Sequence, residues 1–146
     1  METRLIVEER AKGRCEYCQS PRSHTPDDFR VEHIMPRSRA GTDGLDNLAW
    51  SYQACNNRKH TAIQATDPQT GSLASLYHPR FHSWSEHFRR SDDWLILIGL
   101  TPTGRATIAR LDLNRYNVLG LREILVPAGI HPPDDHSTYE EEPWRT

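Results

Sequence analysis

The residues best suited to chemistry fall within one short stretch of this 146-residue chain. Glu32 and His33 are adjacent, and Asn47 follows them. Asn56 and His60 are four residues apart, which places two side chains on one face of a helix. Carboxylate and carboxamide oxygens suit a hard divalent cation, and an imidazole that titrates near neutral pH can take a proton from water. The set predicts a metal-dependent hydrolase, most directly one acting on phosphodiesters, whose reacting oxygens a cation neutralises.

Simpler structural roles remain open for several positions in this stretch. Asn56 is the kind of residue that caps a helix, and His60 is equally compatible with a solvated position near a helix end. Arg37, Arg58 and Lys59 are candidates for binding phosphate, because phosphate contact is the commonest use of such cations in nucleic-acid recognition. A charged pair on a helix is usually a solvated face, so Arg58 and Lys59 keep both interpretations.

Two short strands and a helix are predicted to bring the candidate residues together. Residues 29–34 alternate in hydrophobicity and stop before Pro36, which is typical of a strand. Residues 38–46 contain two glycines and are predicted to be irregular, and residues 48–50 are predicted to return as a second strand. Residues 52–63 lack glycine and proline, so they fit a helix.

The rest of the chain predicts further helices and one strong strand. A short helix over about residues 3–12 closes at Gly13, the usual residue just past a helix end. Residues 94–100 are almost continuously apolar and are the strongest strand candidate. Residues 106–113 fit a helix or a second strand, and residues 111–125 offer a final apolar helical face.

Length and composition indicate one modest domain. Hydrophobic residues make up 36% of the chain and charged residues 26%, which favours a loop-rich domain over residues 1–130 rather than a large helical core. No apolar run approaches the length of a membrane span. The first residues lack the apolar core of a secretion signal. We therefore expect no membrane association and a cytoplasmic location.

The charge is unevenly distributed along the chain. The formal net charge of −2 weakly disfavours a nucleic-acid partner, because such partners usually select a basic surface. Residues 131–146 hold five acidic side chains and one arginine, so the preceding body carries a net charge of +2. We expect this acidic tail to lack fixed structure. It serves either as a solubilising end or as a shield over the basic face.

Three cysteines add a second possible site. Cys15 and Cys18 are separated by two residues on a predicted tight turn, and Cys55 lies far along the chain. In a reducing compartment this spacing favours metal binding or free thiols over a disulfide framework.

Taken together, these motifs resemble the HNH endonucleases, whose active site is a ββα-metal finger, also called a His-Me finger. Further motifs resemble a bacterial subgroup of uncharacterised HNH proteins, so that the likeness extends from about residue 5 to residue 133. The finger motifs are Cys15-x-x-Cys18, Glu32-His33-Ile34-x-Pro36-x-Ser38, Asp46-Asn47-Leu48 and Cys55-Asn56-x-x-Lys59. The additional motifs are Asp67-Pro68 with Gly71, Trp84-Ser85-Glu86-His87-Phe88, and Ile98-Gly99-Leu100-Thr101-Pro102-x-Gly104-Arg105-Ala106-Thr107.

The resemblance implies an α+β fold and a role for each candidate residue. The finger core spans about residues 14–63, with an N-terminal helix and a C-terminal strand and helix extension. His33 matches the general base and Glu32 the acidic metal ligand. Asn56 completes the site of a single Mg²⁺ or Mn²⁺ ion, and DNA is the expected partner. His60 matches a further ligand found in some branches, and Asn47 matches the asparagine that braces the loop and orients the base.

One position departs from the family pattern. Members with a zinc knuckle hold a structural zinc between two Cys-x-x-Cys pairs, and this chain has Tyr52 where the second pair begins. A neutral phenol is a poor replacement for a thiolate, so three cysteines predict a weakened or empty zinc site. His24 offers a conceivable fourth ligand. Packing of Tyr52 over an unmetallated cysteine cluster is the other interpretation.

Three functions remain open on the sequence alone. The first is a divalent-cation nuclease that cleaves DNA, which the complete set of motif residues favours. The second is a nucleic-acid-binding module that keeps the finger fold without cleaving, which the low basic charge and the Tyr52 departure favour. The third is a small cysteine-metal protein in which the histidines have no role.

Overall fold

The computed structural model describes residues 2–133, and within them the predicted mixture of helices and strands is confirmed. The acidic tail predicted to lack structure lies almost entirely outside the described residues. The helices are α1 (Glu2–Arg10), α2 (Gln53–Lys59), α3 (Trp84–His87), α4 (Pro102–Leu111) and α5 (Tyr116–Leu125). The strands are β1 (Phe29–His33), β2 (Leu48–Tyr52), β3 (Gln64–Thr66), β4 (Leu73–Ser75), β5 (Phe88–Arg90) and β6 (Leu97–Gly99).

The strands form three antiparallel pairs, and the pair of β1 and β2 supports both candidate sites. Phe29 pairs with Tyr52 at one end of this ladder, and His33 pairs with Leu48 at the other. We refer to these as the Tyr52 end and the His33 end. Phe29 is buried with its ring centroid 5.6 Å from that of Trp50. The predicted first strand is confirmed, and the second runs two residues further than expected.

Helix α2 follows β2 without a loop and packs against both strands of the pair. It ends at Lys59, because His60 has a backbone φ of 52°, outside the range of a right-handed helix. The helix predicted over residues 52–63 is therefore wrong at its C-terminal end. Lys59 lies on the inner face of this short helix, where its side chain is buried.

The C-terminal part of the chain packs α4 against β6 and against the hairpin of β3 and β4. Asp67, in the turn between β3 and β4, accepts hydrogen bonds from Arg105 of α4 at 3.0 and 2.9 Å. Hydrogen bonds from Arg105 lower the pKa of Asp67 to about 2. A Cβ atom at Gly104 would lie 2.0 Å from the carbonyl oxygen of His87, so this approach requires glycine.

The strand predicted over residues 94–100 is much shorter than expected. Trp94 has a φ of 68° and its N–H donates to the carbonyl of Ser91, so the chain turns there instead of extending. Only Leu97–Gly99 pairs with β5. The region predicted as helix or strand over residues 106–113 is helical, because it lies mostly within α4.

Arg122 of α5 is 2% exposed and ties the C-terminal helices to the cysteine turn. Its guanidinium donates to the carbonyls of Leu95, Leu113 and Cys18, and to the side-chain oxygen of Asn114. These neutral acceptors engage both terminal nitrogens of a buried cation, so Arg122 serves the packing of the fold. Within residues 2–133, no helix combines the length and the apolar character needed to cross a membrane.

Candidate functional site

His33 is the last residue of β1, and its ring meets a carboxylate from the following loop. His33 Nε2 lies 2.8 Å from Asp43 Oδ1, and the Asp43 side chain is 71% exposed. A carboxylate can only accept, so Nε2 of the neutral ring carries the proton and donates to Asp43. The second nitrogen, Nδ1, is then the one with a free lone pair. The contact therefore selects the tautomer in which Nδ1 can accept a proton.

Arg37 completes the group around Asp43. Its Nε and one terminal nitrogen both lie 3.0 Å from Asp43 Oδ1, the same oxygen that accepts from His33. Hydrogen bonds from His33 and then from Arg37 lower the pKa of Asp43. The carboxylate is thus charged at neutral pH. The guanidinium offsets that negative charge at a surface expected to meet phosphate.

Asn47 fixes the loop that connects His33 to Asp43. Its side-chain nitrogen donates to the carbonyls of Met35 at 3.0 Å and Thr42 at 2.8 Å. Its side-chain oxygen accepts from the Met35 N–H at 2.8 Å. Asn47 is 7% exposed, so these bonds are shielded from competing water. One buried carboxamide therefore joins the two ends of the loop.

Glu32 lies on the opposite face of β1 from His33 and points into the interior. The residue is 4% exposed, and the Lys59 Nζ lies 2.8 Å from its Oε2. The Tyr17 hydroxyl donates to the other carboxylate oxygen, and Lys59 also donates to the carbonyl of Ile34 at 3.0 Å. Burial raises the pKa of Glu32, and the Lys59 ammonium opposes that rise. Glu32 is the acidic member of a buried ion pair.

This placement bears on the predicted metal ligands. Asn56 is partly buried on α2, and His60 is exposed immediately after the helix with its Nδ1 3.2 Å from Thr61 Oγ1. A hard cation needs open oxygen ligands, whereas the Glu32 carboxylate faces an ammonium and a phenol. In this geometry Glu32, Asn56 and His60 do not form a set that fits such an ion. Their metal-binding roles remain predictions that require Lys59 to release Glu32.

The candidate phosphate ligands separate into exposed and buried groups. Arg37 and Arg58 are exposed. Lys59 is 1% exposed and engaged by Glu32, so it has no ammonium to offer to a phosphate. The predicted phosphate contact of Lys59 is at odds with this burial. The sequence was compatible with a solvated helix face that included both Arg58 and Lys59. In the structure, Arg58 faces solvent and Lys59 faces the interior.

The three cysteines come together at the Tyr52 end. All three are free thiols, all are buried, and their sulphur atoms lie within 4.8 Å of one another, close enough to share one metal ion. The N–H groups of Tyr17 and Cys18 both lie 3.4 Å from the Cys15 sulphur. Burial raises the pKa of Cys15 to about 12. Burial opposes ionisation of Cys18 too, but hydrogen bonds from Cys15, Cys55 and Ser20 lower its pKa well below the usual value.

A fourth metal ligand is lacking among the described residues near this cluster. The Tyr52 hydroxyl donates to Asp27 Oδ2 at 3.0 Å and is therefore directed away from the sulphurs. His24 is exposed, and its Nδ1 lies 2.8 Å from the hydroxyl of its neighbour Ser23. It does not belong to the close group of sulphur donors. The Arg115 guanidinium donates to the Cys55 sulphur at 3.3 Å. The donor set does not fit a closed, four-ligand zinc site.

A comparison with known protein families identifies the part of the chain that holds both candidate sites. Residues 15–62 match the family model described as HNH endonuclease. We refer to this matched segment as the HNH domain. It contains the cysteine cluster, the His33 loop and α2, and the resemblance predicted from the finger motifs is confirmed. The likeness predicted for residues beyond this segment remains a prediction. Neither the curated proteins nor the solved structures give a match to the chain.

Asp43, Tyr17 and Arg115 were not predicted from the sequence, and Lys59 was predicted only as a phosphate ligand. Asp43 lies ten residues after His33 in the same irregular loop, and its acidic side chain was the available signal. Tyr17 and Lys59 reach Glu32 from separate elements of the HNH domain. Arg115 lies outside the matched segment, 60 residues from its sulphur partner, and no local pattern marked it.

Proposed function

We propose that this protein is an endonuclease that hydrolyses DNA phosphodiester bonds and uses His33 as its general base. The observation that carries the proposal is the His33 ring held by Asp43 on a loop braced by Asn47, within a matched HNH domain. HNH domains act on nucleic acids, so the family match supports the substrate class. The arrangement supplies an oriented imidazole at an accessible edge of the fold.

The chemistry assigned to this chain's own residues is a single proton transfer coupled to attack on phosphorus. His33 Nδ1 takes a proton from a water molecule while Nε2–H donates to Asp43. The water oxygen forms a bond to phosphorus, and the bond from phosphorus to the 3′ oxygen breaks. The departing oxygen takes a proton from solvent. By family resemblance, the products carry 5′-phosphate and 3′-hydroxyl ends.

The family resemblance implies a catalytic cation in addition to the base. When bound, a Mg²⁺ or Mn²⁺ ion would neutralise charge on the reacting phosphate. Glu32 does not offer an open carboxylate here, because Lys59 and Tyr17 contact its two oxygens. No step of the reaction is therefore assigned to the ion. Cleavage measured across a series of magnesium and manganese concentrations will decide whether the predicted dependence exists.

The direct test is nicking of supercoiled plasmid by the full chain, with His33→Ala as the variant. We expect wild-type protein to nick in magnesium or manganese and the variant to lose that activity. His24→Ala is a matched control, because His24 is an exposed histidine of the same domain and its side chain contacts the neighbouring Ser23. Full activity of His33→Ala would show that the base has been assigned wrongly.

A second function is favoured by the buried ion pair of Glu32 and Lys59. If this pair persists when nucleic acid binds, the domain keeps its fold but lacks the acidic ligand expected of a nuclease. It then acts as a nucleic-acid-binding module without cleavage. Retarded migration of DNA in a gel shift, with no cleavage in any divalent ion, selects this alternative. Cleavage that requires a divalent ion and His33 selects the nuclease.

A further inference from the structure

Arg115 brings a cation to the cysteine cluster from outside the HNH domain. It precedes α5, in the connection after α4, and is 8% exposed. The carbonyls of Leu111 and Asp112 accept from its guanidinium at 3.3 and 3.2 Å. The other terminal nitrogen donates to the Cys55 sulphur at 3.3 Å. The guanidinium is thus anchored at one side and directed at sulphur on the other.

Tyr52 and Arg115 occupy neighbouring positions. The Arg115 guanidinium carbon lies 5.4 Å from the centroid of the Tyr52 ring, within the range of a cation–π contact. The Tyr52 hydroxyl is held by Asp27 at 3.0 Å, which fixes the ring. The residue that stands in place of the expected fourth cysteine therefore provides a surface for the guanidinium instead of a ligand for zinc.

We infer that Arg115 occupies the fourth corner of the cluster, so that a guanidinium replaces the structural zinc ion and its missing ligand. A planar cation with several N–H donors can hydrogen-bond to sulphur while remaining tied to backbone carbonyls. Its positive charge, 3.3 Å from Cys55 Sγ, opposes entry of a second cation. Three thiols alone also leave a structural zinc site one ligand short. The cluster is a metal-free thiol–guanidinium site that connects the C-terminal helices to the HNH domain.

This inference does not depend on nuclease activity, and it is tested first on the unaltered chain. The protein is purified without chelator, and zinc is measured by elemental analysis against protein concentration. We expect well under one zinc per chain and no change in melting temperature after treatment with a strong chelator. One tightly held zinc per chain, or a chelator-induced loss of melting temperature, would overturn the inference.

Variants then test whether Arg115 is the reason. The double variant Tyr52→Cys with Arg115→Ala supplies a fourth thiol and removes the cation. We expect it to gain one zinc per chain and, with Co²⁺, the absorption of a tetrahedral thiolate site. Tyr52→Phe is the matched control, because it removes only the hydroxyl and should leave the zinc content of the wild type unchanged. Failure of the folded double variant to bind zinc or cobalt would show that Arg115 does not control metal binding.

A double-mutant cycle isolates the contact between the guanidinium and sulphur. Arg115→Ala also loses the carbonyl contacts at Leu111 and Asp112, so its effect alone is ambiguous. Melting temperatures are therefore measured for Arg115→Ala, for Cys55→Ala and for the variant that carries both changes. The difference between the combined loss and the sum of the single losses gives the coupling between Arg115 and Cys55. We expect the double variant to lose less stability than the sum of the single losses. Additive losses would contradict a direct stabilising contact between Arg115 and Cys55.

Discussion

The two ends of the β1–β2 hairpin carry polar groups in opposite environments. At the His33 end, Asp43 and Arg37 are about 70% exposed and surround a histidine whose second nitrogen has no partner in that group. At the Tyr52 end, three cysteines and Arg115 are buried and bonded to one another or to backbone. The same hairpin thus presents groups to solvent at one end and encloses them at the other. Chemistry is expected where groups remain accessible, and structural support where they are enclosed.

The largest effect is expected from changing the base at the His33 end. Loss of a general base typically lowers the rate by roughly 10²–10⁴-fold. His33→Ala should show that loss in initial rates of plasmid nicking, with an unchanged melting temperature. Equal loss of activity in the control His24→Ala would point to a general disturbance of the domain. A nicking rate for His33→Ala close to that of the wild type would contradict the assignment of the chemistry to the His33 end.

The second largest effect is expected from breaking the buried ion pair of Glu32 and Lys59. Glu32 is adjacent to His33 but pairs with Lys59 in the interior. Lys59→Ala leaves a buried carboxylate without its cation, and removing one partner of a buried pair typically costs ~3–5 kcal/mol of unfolding free energy. Urea denaturation measures the change. The exposed neighbour Arg58→Ala should change stability by less than about 0.5 kcal/mol.

The double variant Glu32→Leu with Lys59→Met sharpens the same test. It replaces both charges by apolar groups, so no unpaired carboxylate remains, and much of the stability lost in Lys59→Ala should return. If Lys59→Ala proves no more destabilising than Arg58→Ala, the pair contributes little. Exchange of Lys59 for a metal cation at Glu32, as the family resemblance implies, would then cost little stability.

A smaller effect is expected at Asp43. Removing the partner that orients a metal-bound imidazole typically costs about 10- to 100-fold in metal affinity or activity, and we expect a loss of the same order for an oriented base. Asp43→Ala should therefore lower kcat by less than His33→Ala does, with little change in KM, because Asp43 positions the base and does not hold substrate. Asp46→Asn is the control, since Asp46 is an exposed acid of the same loop. A change confined to KM would indicate that Asp43 acts on DNA binding instead.

The smallest effect concerns acid stability outside both ends. Hydrogen bonds from Arg105 lower the pKa of Asp67 from 3.8 to about 2. A carboxyl with a lowered folded-state pKa stabilises the fold fully above its unfolded pKa. That contribution is lost as the pH falls from 3.8 toward about 2. Melting temperatures of the wild type and Asp67→Asn should therefore converge over this interval, and a constant difference would contradict the assignment.

Much of the hairpin and of α2 followed from local pattern. Alternation predicted β1, and the absence of glycine and proline predicted the start of α2. The positive φ at His60 and Trp94 was not visible in the sequence, because residues other than glycine adopt that conformation in only a few per cent of cases, by order of magnitude, even where histidine is enriched there. Those two positions account for the shortened helix and the shortened strand.

The sequence indicated which residues belong to the candidate site better than it indicated which residues they contact. Strand alternation already separates adjacent residues onto opposite faces, and the structure places Glu32 inside and His33 at the accessible edge. The partners Lys59 and Arg115 depend on contacts across 27 and 60 positions of the chain. Such contacts are set by the packing of whole elements, which local spacing does not encode.

The anchoring of Arg122 has a practical consequence for anyone cloning this protein. Its guanidinium reaches the carbonyl of Cys18 from α5, 104 residues away along the chain. An expression fragment trimmed to the recognisable segment, residues 15–62, would discard both this arginine and the one that contacts Cys55. An expression fragment that keeps these contacts must therefore extend beyond the matched segment to include Arg115 and Arg122.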